Sequence, residues 1–382
     1  MKSVELFAGI GGLGIGIQNA GFKHLLAIEK NSGCFETIQH NKNQGTAQVH
    51  NWPILKQDIR EVCFRNLESM VDLVSGGPPC QPFSLAGKHQ ADIDNRDMFP
   101  ESIRAVREIK PKAFIFENVK GLTRYSFSNY FEYIRLQLTF PEVIKKNGET
   151  WLKHLTRLET QFTSGNHRAL FYNVVVKVLN SADYGVPQKR ERVFFVGFRS
   201  DIHSKWAFPS PTHSGEALLW SKENGDYWEK HAVPKRERKI KSSQHSLLTK
   251  IESKPETIPW NTLRGAILDL PDPKRQTIRS QKFHNHKYQP GAKIYKGHTG
   301  SVLDEPSKTL KAGSHGVPGG ENMIRKFDGS VRYFTVRESA RLQGFSDDFS
   351  FDCSWGESMK QLGNAVPIDL ATILAKSIRN HL

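Results

Sequence analysis

Four short apolar runs in the first 120 residues each break off into glycine, proline or a carboxylate. Residues 2–7 lead into Ala8-Gly9-Ile10-Gly11-Gly12, and Leu25-Leu26-Ala27-Ile28 leads into Glu29. Val71-Asp72-Leu73-Val74 leads to Gly76-Gly77-Pro78-Pro79-Cys80, and Ala113-Phe114-Ile115-Phe116 to Glu117-Asn118-Val119. Apolar runs of this length alternating with helical stretches are the pattern of an α/β fold, a mostly parallel sheet with crossover helices. In an open sheet of that kind ligands sit beyond the carboxyl ends of the strands, so the four endings are expected to converge on one crevice.

Downstream, Arg192–Phe198 reads as a further strand, and residues 121–170 read as irregular structure followed by a helix around Trp151–Leu155. From about 199 to 330 the composition turns to Pro, Gly, Ser, His and Lys, as a smaller loop-rich unit would have it. From Pro367 onward, Leu370, Ile373, Leu374 and Ile378 share one face of a terminal helix that packs on the core. With 382 residues, 37% of them hydrophobic, the chain can form one large domain and a smaller one. The expected division is residues 1–198 completed by 357–382, and residues 199–356.

Glycines between a first strand and a first helix let the backbone approach a ligand closely. Glu29 follows Gly9 by 20 residues, at the end of the next strand, where a carboxylate accepts from ribose hydroxyls. That spacing fits adenosine-bearing cofactors in general, NAD included; the glycines do not form Gly-x-Gly-x-x-Gly, which argues against a pyrophosphate cradle. Asp58 is either a third cofactor group, accepting from an adenine amino group, or an ordinary surface carboxylate.

Cys80 sits in Gly76-Gly77-Pro78-Pro79-Cys80-Gln81-Pro82-Phe83-Ser84. Proline fixes its own φ and pushes the preceding residue toward extended geometry, so the thiol is collared by stiff, non-helical chain on both sides. A cysteine that only packs needs no such collar, and Cys80 reads as a nucleophile. With Glu117 at the end of a neighbouring strand, a thiol and a carboxyl would meet opposite edges of one small planar substrate. In Gln188-Lys189-Arg190-Glu191-Arg192, alternation puts Arg190 and Arg192 on the same face.

Fifty-four Lys and Arg against 39 Asp and Glu leave a net charge of +15, which suits a polyanionic partner, most simply nucleic acid. Cys34, Cys63, Cys80 and Cys353 are widely spaced and offer neither a metal site nor a disulfide framework. No apolar run approaches the ~18 residues of a membrane span and the start lacks a signal-peptide pattern, so a soluble cytoplasmic protein is expected.

At these residues the chain resembles the C5-cytosine DNA methyltransferases of the bacterial restriction-modification type. Phe7–Gly12 is similar to that family's first cofactor motif, Gly77–Ser84 to its nucleophile motif, Glu117-Asn118-Val119 to its acid motif and Gln188–Arg192 to its arginine motif. Arg337–Phe345 resembles its scaffold motif and Gln361–Pro367 its last cofactor motif, all in the family's order. The resemblance implies a Rossmann-like, S-adenosylmethionine-dependent methyltransferase sheet, with a smaller loop-rich target-recognition domain. It implies methyl transfer to C5 of a cytosine flipped out of double-stranded DNA, since C5 inside a duplex is buried in the stack. Cys80 is then the nucleophile at C6, Glu117 the acid at N3, and Arg192 lies on the cytosine O2 side with Arg190 at the same site. The matched cofactor contacts are Phe7, Ala8, Gly9, Ile10, Gly11, Gly12, Glu29, Lys30, Asp58, Ile59, Pro79, Phe99 and Asn364.

Residues 83–99 resemble the family's loop that closes over the flipped base, with Ser84, Lys88 and Arg96 as phosphate contacts; Asp97 stands where the family usually has glycine. Sequence reading is implied for roughly 272–330, with His286, His298, Thr299, Lys311, Ser314 and His315 as candidate contacts. The expected protein is a monomer that associates with the nucleoid when on DNA and is paired in function with a restriction endonuclease. An RNA (tRNA) methyltransferase on the same fold and a catalytically silent DNA-binding homologue are the alternatives. A dinucleotide-dependent oxidoreductase would account for the glycine loop and Glu29 alone.

Overall fold

The structure, a computed structural model, describes residues 1–79, 97–165, 170–238, 240, 251, 253–275, 278, 282–313 and 322–382. Cys80, Ser84, Lys88, Arg96, Ser314 and His315 lie outside the described residues. The apolar runs form strands β1 (Lys2–Leu6), β2 (Lys23–Glu29), β3 (Ile54–Lys56), β4 (Leu73–Gly76) and β5 (Ala113–Val119), joined later by β6 (Tyr172–Asn180) and β7 (Glu191–Arg199). They make one seven-stranded sheet in the order β3-β2-β1-β4-β5-β7-β6. β1 to β5 are mutually parallel, and β7 runs antiparallel to both β5 and β6.

That order reverses direction between β1 and β4, as expected of a ligand crevice at a topological switch point. The antiparallel β7 has a separate consequence: its first residues meet the last residues of β5, pairing Val119 with Arg192 and Glu117 with Phe194. An acid at the end of one strand and an arginine at the start of another are thereby brought together.

Helices α1 (Gly12–Asn19), α2 (Ser32–Asn43), α3 (Phe99–Ile109), α4 (Ser128–Thr139) and α5 (Trp151–Thr163) supply much of the helical cover, and the last helix, Ile368–Arg379, packs on α1. Its apolar stripe is buried at Leu370, Leu374 and Ile378, while Ile373 is half-buried. One core lies between the sheet and α3, α4 and α5, with Phe114, Phe116, Ile134 and Leu158 fully covered. Neither α4 nor β6 was anticipated, although Tyr172–Asn180 carries the valine-rich signature of a strand.

The chain beyond residue 199 returns to the main body well before 357. Leu263, Leu310, Ile324, Phe334, Val336 and Leu342 share one core with Ile10, Ile15, Met359 and Leu362. The helix Val336–Leu342 is fixed at its start by a capping box, Thr335 accepting from Glu338 N–H and Glu338 accepting from Thr335 N–H. Outside that shared core, a small cluster of Leu218, Tyr227, Trp228 and Val233 holds the segment around the helix Gly215–Glu223.

Candidate active site

A cleft of about 910 Å³ opens at the carboxyl ends of the parallel strands. Its walls include Phe7, Ala8, Gly9, Ile10, Gly12, Glu29, Lys30, Asp58, Ile59, Pro79, Glu117, Arg190, Arg192 and Asn364. Thus all four strand endings read from the sequence face one space. Two expected cofactor contacts do not line it. Gly11, at φ 90°, supplies the left-handed residue that starts α1 and turns toward the Trp52 ring. Phe99 is fully buried, edge-on to Phe195 in the core beneath, and Met98 reaches the wall instead.

The glycine loop is held from below by Glu29, whose Oε2 accepts from Gly9 N–H at 2.7 Å and whose Oε1 accepts from Asn31 N–H at 2.5 Å. Burial pushes this carboxyl above its ordinary pKa, opposed by those backbone donors. Each oxygen can accept a second bond, so Glu29 can both shape the loop and meet a ligand hydroxyl. Asn31 also caps α2, accepting from Cys34 N–H at 3.0 Å. Phe7 is held at φ 53°, a left-handed conformation rare for a bulky residue and consistent with a backbone shaped around a ligand.

Asp58 is clamped by Arg60, with Nε at 3.0 Å and Nη2 at 2.5 Å, and by Lys30 Nζ at 2.7 Å. These donors, Arg60 first, hold its carboxyl well below the usual range, so it is an anion at the cleft mouth. Nothing marks Arg60 in the sequence beyond its adjacency to Asp58. Glu5, next to last in β1, lines the cleft and accepts from the Ser75 hydroxyl across the β1–β4 pair. Burial raises its pKa to about 8, despite that hydrogen bond.

At the opposite end, Glu117 Oε1 lies 2.8 Å from Arg192 Nε, both side chains nearly covered. The other carboxyl oxygen approaches Gly77, where a Cβ would stand 3.4 Å from it. Asn118 Nδ2 donates to Pro78 O at 2.9 Å, and Met98 N–H donates to Pro79 O at 3.1 Å. The chain on the two sides of residues 80–96 is therefore bonded to itself, with Pro79 pinned in the cleft wall beside Glu117. Asn118 and Met98 were not singled out from the sequence, and for Asn118 its place inside Glu117-Asn118-Val119 was the available signal. Asp97, in the position expected for glycine, accepts from the Tyr130 hydroxyl and from Phe99 N–H at 3.2 Å, tying the start of α3 to α4.

Arg190, expected at the same site as Arg192, lines the cleft with its guanidinium bonded to backbone carbonyls. It is 1% exposed, and its Nη1 and Nη2 donate to Leu310 O at 3.1 Å and Gly363 O at 2.8 Å. Burial and then the neighbouring Arg192 guanidinium push it down to about 9, still cationic at neutral pH. Arg190 thereby braces the segment near 310 to Gly363, the residue before Asn364, whereas Arg192 reaches Glu117.

The expected DNA-reading residues divide in the same way. His286 is 5% exposed, with Nδ1 bonded to Thr335 Oγ1 at 2.9 Å and Nε2 to Pro271 O at 2.8 Å; both ring nitrogens are committed, so it is a strut and not a reader. His298 packs at a tilt against Tyr295 with ring centroids 4.3 Å apart, and Thr299 Oγ1 accepts from Lys308 Nζ at 3.0 Å. Lys311 has an exposed side chain on a backbone fixed by Asn322, which accepts from its N–H and donates to its carbonyl.

Among the described residues, no helix is long and apolar enough to cross a membrane. The solved structures similar in shape include a putative DNA modification methyltransferase from an Escherichia coli prophage, with TM-score 0.56, 20% identity and coverage of 100% of this chain and 99% of that one. The Schizosaccharomyces pombe Dnmt2 methyltransferase has TM-score 0.57 and 17% identity over 100% of this chain and 98% of its own. These likenesses establish the fold, a Rossmann-like, mostly parallel α/β sheet. By sequence, the chain is 34% identical over 380 residues, 98% of its length and 78% of the relative's, to the type II methyltransferase M.PspPI of a Psychrobacter species. It is 32% identical to M.FnuDI of Fusobacterium nucleatum, over 100% of this chain and 95% of that one. With the strand-end geometry in place and residues 1–140 and 147–380 matching its sequence pattern, the chain belongs to the C-5 cytosine-specific DNA methylase family.

Proposed function

We propose that the cleft flanked by Pro79, Glu117 and Arg192 carries out the family's reaction, methylation of DNA cytosine at C5, through a covalent bond between Cys80 and cytosine C6. The observation that carries this reading is the Glu117–Arg192 pair, 2.8 Å apart beside Gly77 and Pro79, in the same cleft as the glycine loop and Glu29. C5 of cytosine is too weak a nucleophile to attack a methyl sulfonium, so the ring has to be activated first.

Cys80 adds as thiolate to C6, and the electron pair of the C5–C6 double bond moves into the ring. Glu117, in its acid form, donates a proton to N3 and neutralises the charge that arrives there. Arg192 orients Glu117 and offers its remaining donors to the O2 side of the base. After C5 is methylated, loss of the C5 proton restores the double bond and expels the Cys80 thiolate. S-adenosylmethionine supplies the electrophilic methyl group when bound. The donor set suits it: Glu29 for ribose hydroxyls, the Asp58 anion for an amino group, and Phe7, Ile10 and Ile59 as apolar walls.

Residues 199–356, where they stand clear of the shared core, serve as the target-recognition part, with Lys311, His298 and Thr299 toward the duplex. Relatives named as type II methyltransferases support a role as the protective modification enzyme of a restriction-modification system.

A duplex carrying 5-fluorocytosine tests the reaction, because elimination needs a proton at C5. Incubated with protein and S-adenosylmethionine, genomic-sequence duplexes bearing the analogue are expected to yield an adduct that survives denaturing electrophoresis, and Cys80→Ala is expected to yield none while still binding cofactor. Adduct on 5-fluorocytosine tRNA and on no DNA would overturn the DNA assignment.

A further inference from the structure

Immediately beyond the acid motif the chain makes a rim that the reaction itself does not use. Val119 lines the cleft, and from it the backbone runs through two short 3-10 turns, Lys120–Thr123 and Tyr125–Phe127, into α4. Lys120 grips Glu191, the residue before Arg192, with its Nζ 2.8 and 2.9 Å from the two carboxyl oxygens. The rim therefore starts at the Glu117–Arg192 pair. Leu122 and Tyr130 are sunk in the core on either side of it, 4% and 8% exposed. Internal bonds stiffen what lies between: Thr123 Oγ1 donates to Lys120 O at 2.9 Å, and Phe127 N–H donates to Arg124 O at 2.8 Å.

On this rigid turn Tyr125 stands 95% exposed, and Thr123, Arg124 and Ser126 are exposed beside it. Among the described residues no carboxylate pairs with the Arg124 side chain. A large aromatic displayed on well-anchored backbone, next to a cation, is the composition of a contact surface; tyrosine and arginine are enriched where partners bind most strongly. The partner follows from position and charge. A cytosine entering the cleft leaves its own strand running across the cleft mouth, and the chain carries a net charge of +15.

We infer that Arg124 and Tyr125 form a contact for the DNA backbone flanking the flipped cytosine, Arg124 on a phosphate and Tyr125 with its hydroxyl on phosphate and its ring against sugar. The contact is independent of sequence, because phosphates carry no base information. It rests on the proposed reaction, since that reading puts a DNA strand at this mouth.

The test compares wild type with Arg124→Ala, Tyr125→Ala and Tyr125→Phe, all at exposed positions. Binding to a short mixed-sequence duplex is followed across a salt series, together with methylation of genomic DNA and with cofactor affinity. Arg124→Ala is expected to weaken duplex binding roughly threefold to tenfold and to reduce the slope of log affinity against log salt by about 0.9, the value of one phosphate contact. Tyr125→Ala is expected to raise the KM for DNA by a similar factor, by more than it lowers kcat, with Tyr125→Phe in between. Cofactor affinity stays unchanged in all three. Wild-type binding with unaltered affinity and salt slope in both alanine variants would overturn the contact alone. Failure of wild type to bind or methylate any DNA would instead overturn the reaction on which it rests.

Discussion

Single residues in this cleft behave according to what surrounds them, and two carboxyls show it. Asp58, ringed by Arg60 and Lys30, is held as an anion, whereas Glu5, on β1 and wholly buried, is pushed up to about 8. The sign of the consequence follows from the proton count. Between about 4.5, the ordinary value, and about 8, folded protein keeps the Glu5 proton while the unfolded chain has released it. Stability from this group is thus full below the lower value and is lost as pH rises toward the upper one. Glu5→Gln, neutral at every pH, is expected to match wild type most closely near the acid end and to be increasingly more stable than wild type up to about pH 8, reaching a difference of a few kcal/mol. Urea unfolding of both proteins across that range checks it. A constant offset would mean that Glu5 titrates alike in both states. His24 contributes the opposite slope, since burial lowers it to about 4 and stability falls as the unfolded imidazole protonates below about 6.5.

At the scale of elements, α1 and the last helix approach each other closely. A Cβ on Gly16 would stand 2.4 Å from the Ala371 Cβ and 2.8 Å from Thr372 N, so the two backbones meet where Gly16 has no side chain. Gly16→Val cannot be absorbed by a flexible side-chain end, and is expected to cost about 3 kcal/mol or more of stability, read as a lowered urea midpoint at unchanged slope. Because α1 begins at the glycine loop, cofactor affinity should fall with it. The strands that lead into chemistry were legible in the sequence because each is a buried apolar run with an abrupt polar ending, and the cleft they share was legible with them. Arg192 beside Glu117 was less so. Their meeting depends on β7 running antiparallel, and no local pattern around Gln188–Arg192 encodes direction. The roles of Phe99 and Gly11 were hidden for a related reason: a motif specifies residue types, while the wall of a cavity is set by which way each side chain turns from the backbone.

At the scale of the whole molecule, residues 187–190 add a hydrogen-bonded seam to the core shared by its two expected parts. Pro187 O accepts from Ser307 N–H at 2.9 Å, Lys189 N–H donates to Ser307 O at 2.8 Å, and Gln188 Oε1 accepts from Leu310 N–H at 3.1 Å. Gln188 Nε2 also reaches Gln343 Oε1 at 3.3 Å, and Gln343 Nε2 donates to Leu362 O at 2.5 Å. Beside this seam, buried Lys222 meets Glu305 at 3.1 Å, and Glu305 meets Lys189 at 3.3 Å. Arg190 lies at its centre, one guanidinium satisfying carbonyls on chain segments that are 53 residues apart, Leu310 and Gly363. Only the planar fork of arginine spans both. Arg190→Lys keeps the charge and reaches one carbonyl at most; Arg190→Met reaches neither. Each buried carbonyl left without a donor costs about 1–3 kcal/mol, so the methionine variant is expected to lose more stability than the lysine variant. If Arg190 is a brace and not a substrate ligand, cofactor affinity should weaken in the same order, through displacement of Asn364 from the cleft wall. Calorimetric titration with S-adenosylmethionine reads that order directly. Unimpaired cofactor binding in Arg190→Met, alongside lost methylation, would return Arg190 to the cytosine.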